Sequence, residues 1–320
     1  MITEDHVNNL RRVVLAQDDL VVAVLPELGA KIETLRRASS THNVLLQPPE
    51  RAHRRARYGS AFEEYDTSGF DECFPTVAAS PAPDAPGVLL PDHGELWSTE
   101  WRCERDGDGL MMEADGKRLP YLFRRRLTIR ENRLRLDYEL VSKSENSMRV
   151  LWSAHPLLAA SPGSRIFLPA EVESVLVNSS TGDRLGAHGE RCAWPIENKT
   201  GTGDRLDVLP SPDAGTADKL FTERLNEGWC AFHDARTDES VTIRFDVAST
   251  PYIGIWICAG GWPLGAERKR HYTVALEPCS GRPDELMEAA QAGECWRLEA
   301  GAVKRWWLEI ELNAGEPAAN

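Results

Sequence analysis

Apolar side chains recur at every second position in one segment after another. Leu134, Leu136, Tyr138 and Leu140 follow this rule, as do Val241, Ile243, Phe245 and Val247, then Tyr272, Val274 and Leu276, and finally Trp306, Leu308, Ile310 and Leu312. Neighbouring side chains of a strand point to opposite faces, so period two with one apolar face marks half-buried antiparallel sheet. Further strands are expected over 20–25, 31–35, 122–129, 149–154, 173–177 and 252–258. Helical periodicity is confined to one short segment that starts at Pro283, carries Asp284 and Glu285 in its first turn and stops at Gly293. The predicted fold class is all-β: one large antiparallel β-sandwich with few short helices, forming a single domain over 1–320. The Pro- and Ala-rich stretch 81–91 and the Gly- and Asp-rich stretch 198–216 read as surface loops, since strand patterns continue on either side.

A chain of 320 residues buries a sizeable core without disulfides or structural metal. Lys plus Arg number 37 against 50 for Asp plus Glu, a net charge of −13. Binding nucleic acid by counterion release needs clustered cations, so no nucleic-acid partner is expected, and a small or neutral ligand is. The first residues, Met1 to Val14, mix Glu4, Asp5, Arg11 and Arg12 without an apolar run. Neither a signal peptide nor a membrane span is therefore expected, and the location reads as cytoplasmic. Seven cysteines, an odd set with no C-x-x-C pair, are expected to be reduced and mostly buried. Asn178-Ser-Ser and Asn198-Lys-Thr match the glycosylation pattern only by chance if the chain is not secreted. No ligand pair stands at metal-binding spacing, so neither a metal nor a cofactor is expected.

Parity locates the polar exceptions. In Tyr272 to Glu277 the apolar face leaves Glu277 on the opposite side, beside Ala275 and Thr273, at a strand end. In Arg149 to His155 the apolar face of Val150, Trp152 and Ala154 leaves His155 with Ser153 and Leu151. A carboxylate and an imidazole brought together by their strands suffice for proton transfer. Spacing alone leaves the solvated-surface reading open for each. His93 sits in the Gly-containing turn Pro91-Asp-His-Gly94, and Asp71 and Glu72 interrupt the apolar context of Gly69-Phe-Asp-Glu-Cys-Phe, where paired acids either bind sugar hydroxyls or face water.

Taken in order, these segments resemble the aldose 1-epimerase (galactose mutarotase-like) superfamily. Leu25-Pro-Glu-Leu-Gly29-Ala-Lys-Ile-Glu-Thr-Leu35 is similar to the family's early strand pair, Pro91-Asp-His-Gly94 to its first His motif and Trp152-Ser-Ala-His-Pro156 to its second. Ala275-Leu-Glu-Pro278 resembles the segment with the family's Glu, and Leu298 to Leu312 its closing strands. The resemblance implies Glu277 as general base, His155 as general acid, His93 as a substrate-binding His and Asp218, 59 residues before the Glu, as a sugar-binding Asp. It also implies a cofactor-free mutarotation of a small carbohydrate. The Arg that family members commonly place upstream of the first His is absent, for the stretch reads Ser68-Gly-Phe-Asp-Glu72. Trp256 or Trp262 is the candidate aromatic platform for a sugar ring. Two further readings stand beside this one: a sugar-phosphate 1-epimerase whose phosphate is received by Arg51, Arg54, Arg55 or Arg57, and a non-catalytic carbohydrate-binding protein. The oligomeric state is not readable from the residues.

Overall fold

The computed structural model describes residues 1–196, 203–263 and 269–317. The Asn198 glycosylation pattern lies outside the described residues, as does the start of the 198–216 loop. Nearly all of the chain's alternating segments pair into two antiparallel sheets, one of eleven strands and one of eight. The eight-stranded sheet shows the alternation plainly. In its Arg133–Ser142 strand, Leu134, Leu136, Tyr138 and Leu140 are buried while Arg135, Asp137 and Glu139 are part-exposed. Register sets Leu134 opposite Ile310, Leu136 opposite Leu308 and Tyr138 opposite Trp306. These side chains meet Val22, Val24, Trp152, Ile255 and Leu276 of or beside the large sheet in one continuous apolar cluster. Burying each such aliphatic side chain stabilises by about 1.5–3 kcal/mol. No helix among the described residues is long and apolar enough to cross a membrane.

Two expected elements differ in extent. The 149–154 strand is split: Met148–Val150 pairs with Trp296–Leu298, and a new strand, Ser153–Ala159, enters the large sheet. The helix spans only Leu286–Ala292, with Gly293 at φ 74 closing it. Asp284 therefore lies before the helix rather than in its first turn.

Six strands of the large sheet build the functional face, in the order Lys31–Arg37, Phe70–Cys73, Ser153–Ala159, Tyr272–Cys279, Tyr252–Ala259, Thr216–Thr222. Parity divides Phe70–Cys73 sharply. Phe70 and Glu72 point between the sheets, and Asp71 and Cys73 point to the far side. Glu72 is fully buried, and its carboxylate accepts hydrogen bonds from Arg125 Nη1 at 2.8 Å, Tyr138 OH at 2.9 Å and Trp152 Nε1 at 2.9 Å. The sequence reading that put Glu72 among the sugar-binding acids is thus corrected. Its side is fixed by Phe70, which shares its parity and packs in the core.

Arg125, on the opposing sheet, also donates to the Ala30 carbonyl, so this one guanidinium ties the two sheets together. Removing it leaves the Glu72 carboxylate buried without its cation, a loss on the order of 3–5 kcal/mol. Arg125→Met is expected to lower unfolding stability by that amount in urea denaturation, whereas Arg124→Met, on the exposed side of the same strand, changes it by less than about 1 kcal/mol.

Candidate active site

The far face of the large sheet holds a cavity of about 300 Å³. Glu277, His155, His93 and Trp262 all line it, together with Phe62, Thr67, Asp92, Lys219, Trp256, His271 and Asp284. Strand parity puts Glu277 there, since Leu276 beside it packs into the core. Register then sets Glu277 opposite Gly254, and a Cβ at Gly254 would lie 3.2 Å from Glu277 Oε2 and 3.2 Å from the Phe221 ring. Glycine is what leaves room for the carboxylate.

Glu277 Oε2 accepts from Lys219 Nζ at 2.5 Å and from Ser153 Oγ at 3.3 Å. Lys219 Nζ also lies 3.5 Å from Asp284 Oδ1. Burial pushes the Glu277 carboxyl above its ordinary value, against the pull of the Lys219 ammonium. Burial works against a charged Lys219 as well, but Asp284 and Glu277 outweigh it and raise its pKa. Glu277 Oε1 and His155 Nδ1 are buried with no hydrogen-bond partner among the described residues.

His155 is held well below the ordinary imidazole value, first by burial and then by His93, Lys219 and Lys31. Its ring meets that of His93 edge-on at 5.0 Å, and Phe62 stacks on His93 at 3.9 Å. His93 Nδ1 lies 3.0 Å from Asp92 Oδ2. The turn that carries His93 is seated by Gly94, where a Cβ would stand 2.2 Å from the Phe74 carbonyl oxygen. Across the cavity Trp262 meets Trp256 at 6.3 Å and His271 at 4.9 Å, both edge-on, and Thr67 Oγ1 lies 3.2 Å from His271 Nε2.

Asp218 and Asp71 do not join this group. Asp218 shares parity with the core residue Leu220, and its carboxylate is taken by Ser180 Oγ at 2.7 Å and by Arg184. Its neighbour Lys219 is the residue of that strand which reaches the cavity. The signal was present in the sequence, because Leu220 in the core puts Lys219 on the other face. Asp71 lies on the cavity side of the sheet, where Lys31 Nζ donates to its Oδ2 at 2.6 Å and sits 2.8 Å from Asp66 Oδ2, and its Oδ1 is buried with no hydrogen-bond partner among the described residues. Burial pushes the Asp71 carboxyl up to about 6 despite Lys31. Asp284 was hidden from sequence reasoning by its place beside the helix, and nothing in the pattern around Phe62 marked it.

Arg51, Arg54, Arg55 and Arg57 do not line the cavity. Arg51 and Arg54 donate to the carbonyls of Glu63 and Glu64 at 3.0 Å each, bracing the turn that presents Phe62, and Arg55 pairs with Glu27. A phosphate-receiving role for them gains no support from this placement.

No family model matches the sequence and no curated protein matches it. Solved structures do. A Klebsiella pneumoniae protein provisionally assigned as an aldose 1-epimerase aligns with a TM-score of 0.71 at 14% identity, over 98% of this chain and 83% of its own. A galactose mutarotase-like protein from Lactobacillus casei aligns at 0.65 and 14%, over 94% and 100%. A galactose mutarotase related enzyme from Lactobacillus acidophilus aligns at 0.65 and 15%, over 94% and 97%. The chain has the galactose mutarotase-like β-sandwich fold. At these identities the likeness is one of architecture, so the chemistry must be argued from the cavity itself.

Gly94→Ala tests how the His93 turn is seated. It combines a left-handed φ of 71 with the 2.2 Å clash. Backbone strain of this kind amounts to about 1–3 kcal/mol or more, and an equal loss of stability is expected in chemical denaturation. Gly87→Ala, at φ 81 with open space around it, is expected to lose less.

Proposed function

We propose that this protein is an aldose 1-epimerase-like isomerase that interconverts the anomers of a small sugar. The reading rests on one observation above others: a carboxylate and an imidazole, each with an unpartnered buried atom, line one cavity of monosaccharide size with Trp256 and Trp262. Trp faces suit the apolar C–H side of a pyranose.

Glu277 takes the proton of the anomeric hydroxyl as a carbonyl forms at the anomeric carbon. The bond from that carbon to the ring oxygen breaks, and His155 delivers a proton to the ring oxygen. Rotation about the adjacent carbon–carbon bond and reversal of both transfers close the ring on the other face. Burial makes Glu277 a stronger base than an ordinary carboxylate. Burial and the neighbouring His93, Lys219 and Lys31 make protonated His155 a stronger acid than an ordinary imidazolium. Both shifts favour the two proton movements. Lys219 favours the ionised form of the Glu277 carboxylate and aims it, and His93 and Asp284 are the groups that would hold hydroxyls.

Anomer exchange in freshly dissolved α-glucose and α-galactose, followed by polarimetry or exchange NMR, tests this. Glu277→Gln and His155→Asn are each expected to reduce the catalysed rate about 10²- to 10⁴-fold. Wild-type rates intact in both variants would remove these residues from the mechanism. Saturable sugar binding with no exchange for any aldose would replace the enzyme with a carbohydrate-binding protein.

The pH profile of kcat/KM carries a second expectation. Exchange needs Glu277 ionised and His155 protonated, so the profile is a bell bounded by the raised Glu277 value and the lowered His155 value. Lys219→Met removes a cation that favours the ionised carboxylate and disfavours the protonated imidazole, so both values rise and the profile is expected to move to higher pH. A profile left in place by Lys219→Met would show that Glu277 and His155 do not set it.

A further inference from the structure

We infer that Cys73, His93 and His155 form a binding site for a transition-metal ion of the Zn²⁺ class. Each of the three offers one ligand atom, and these atoms lie within 4.8 Å of one another. The grouping was invisible to residue spacing, because it is assembled by register and by one turn. Cys73 sits opposite Ser153 on the neighbouring strand, and His155 follows Ser153 on the same face. Gly94 bridges to Phe74, the residue after Cys73, and so brings His93 to the pair.

Three features favour an ion over a purely structural cluster. Cys73 is wholly buried, and the buried His155 Nδ1 has no partner among the described residues. His93 Nδ1 is likewise buried with no hydrogen-bond partner among the described residues, and the Asp92 carboxylate 3.0 Å away is near enough to orient the ring once it turns to bind an ion. One sulfur and two nitrogens form a donor set that suits Zn²⁺ or Co²⁺ and not Mg²⁺ or Ca²⁺.

Ligand atoms around tetrahedral zinc stand roughly 3.3–3.6 Å apart, given bonds of about 2.0–2.1 Å to nitrogen and about 2.3 Å to sulfur. Side-chain rotation that closes the widest separation, at most 4.8 Å, by up to about 1.2–1.5 Å meets this spacing. On binding, the Cys73 thiol releases its proton to solvent and the thiolate and two imidazole lone pairs bond the ion, with no change of oxidation state. Three protein ligands leave the fourth tetrahedral position towards the cavity. The bound ion engages the His155 lone pair, so ion and sugar compete for one place.

Chelator-treated protein titrated with Co²⁺ gives a direct reading. The expected result is a thiolate-to-cobalt absorption in the near ultraviolet with tetrahedral d–d bands, saturating at about one equivalent and displaced by Zn²⁺. Cys73→Ser is expected to lose the thiolate band while keeping the wild-type circular dichroism. His93→Gln, at a half-buried turn position, is expected to weaken Zn²⁺ binding about tenfold or more by calorimetry. Wild-type protein without a thiolate band, or a band that persists in folded Cys73→Ser, overturns the site. Should Cys73→Ser not fold, unchanged Zn²⁺ affinity in His93→Gln overturns it instead. The readout is independent of anomer exchange, so either proposal can fail while the other stands.

Discussion

Everything on the functional face depends on how the four residues Phe70–Cys73 are divided by the pleat. One side sends Phe70 and Glu72 between the sheets, where Glu72 holds Arg125, and the other sends Asp71 and Cys73 towards the cavity wall. A buried ion pair adds little net stability when complete, but breaking it strands a charge. The pair therefore penalises any slip of register between these strands, since a one-residue shift would turn Glu72 out of the core and Cys73 into it. The same register sets Asp71 beside His155 and Cys73 beside Ser153. The chemistry of the cavity inherits its precision from a contact made on the opposite side of the sheet.

Behind the cavity a second buried charge group, Lys31 with Asp66 and Asp71, repeats the arrangement on the next strand. Its ammonium and that of Lys219 both act on His155, and Lys219 alone directly contacts Glu277. The protein thus controls its two central titratable groups with cations placed from different strands. Desolvation raises the carboxyl and lowers the imidazole, and the nearby cations oppose the first shift and reinforce the second. One environment so separates two groups into a strong base and a strong acid.

Much of the architecture was legible beforehand because a sheet with one buried face writes its parity directly into the chain. Leu276 beside Glu277 and Ala154 beside His155 declared both polar side chains to be on the non-core face. Asp218 and Lys219 show how thin that signal is. The resemblance pointed to the acid, while the core position of Leu220 points to its neighbour. Glu72 and Asp71 show a different limit, since two adjacent acids in an apolar context carry no mark of which cation each will meet. Arg125 is 53 residues from Glu72 and Lys31 is 40 from Asp71.

The sequence by itself determined the all-β class, the faces of the individual strands and the turn that presents His93, because these depend on alternation and on local φ. The tertiary structure alone decided which polar residues meet. It joined Lys219 to Glu277, 58 residues apart, and Cys73 to His93 and His155. It also turned Arg51 and Arg54 from a candidate phosphate site into braces for the Phe62 turn. Strand order and register are set by the summed packing of two sheets, a property of no single segment, and that sum is what converts separate polar exceptions into one site.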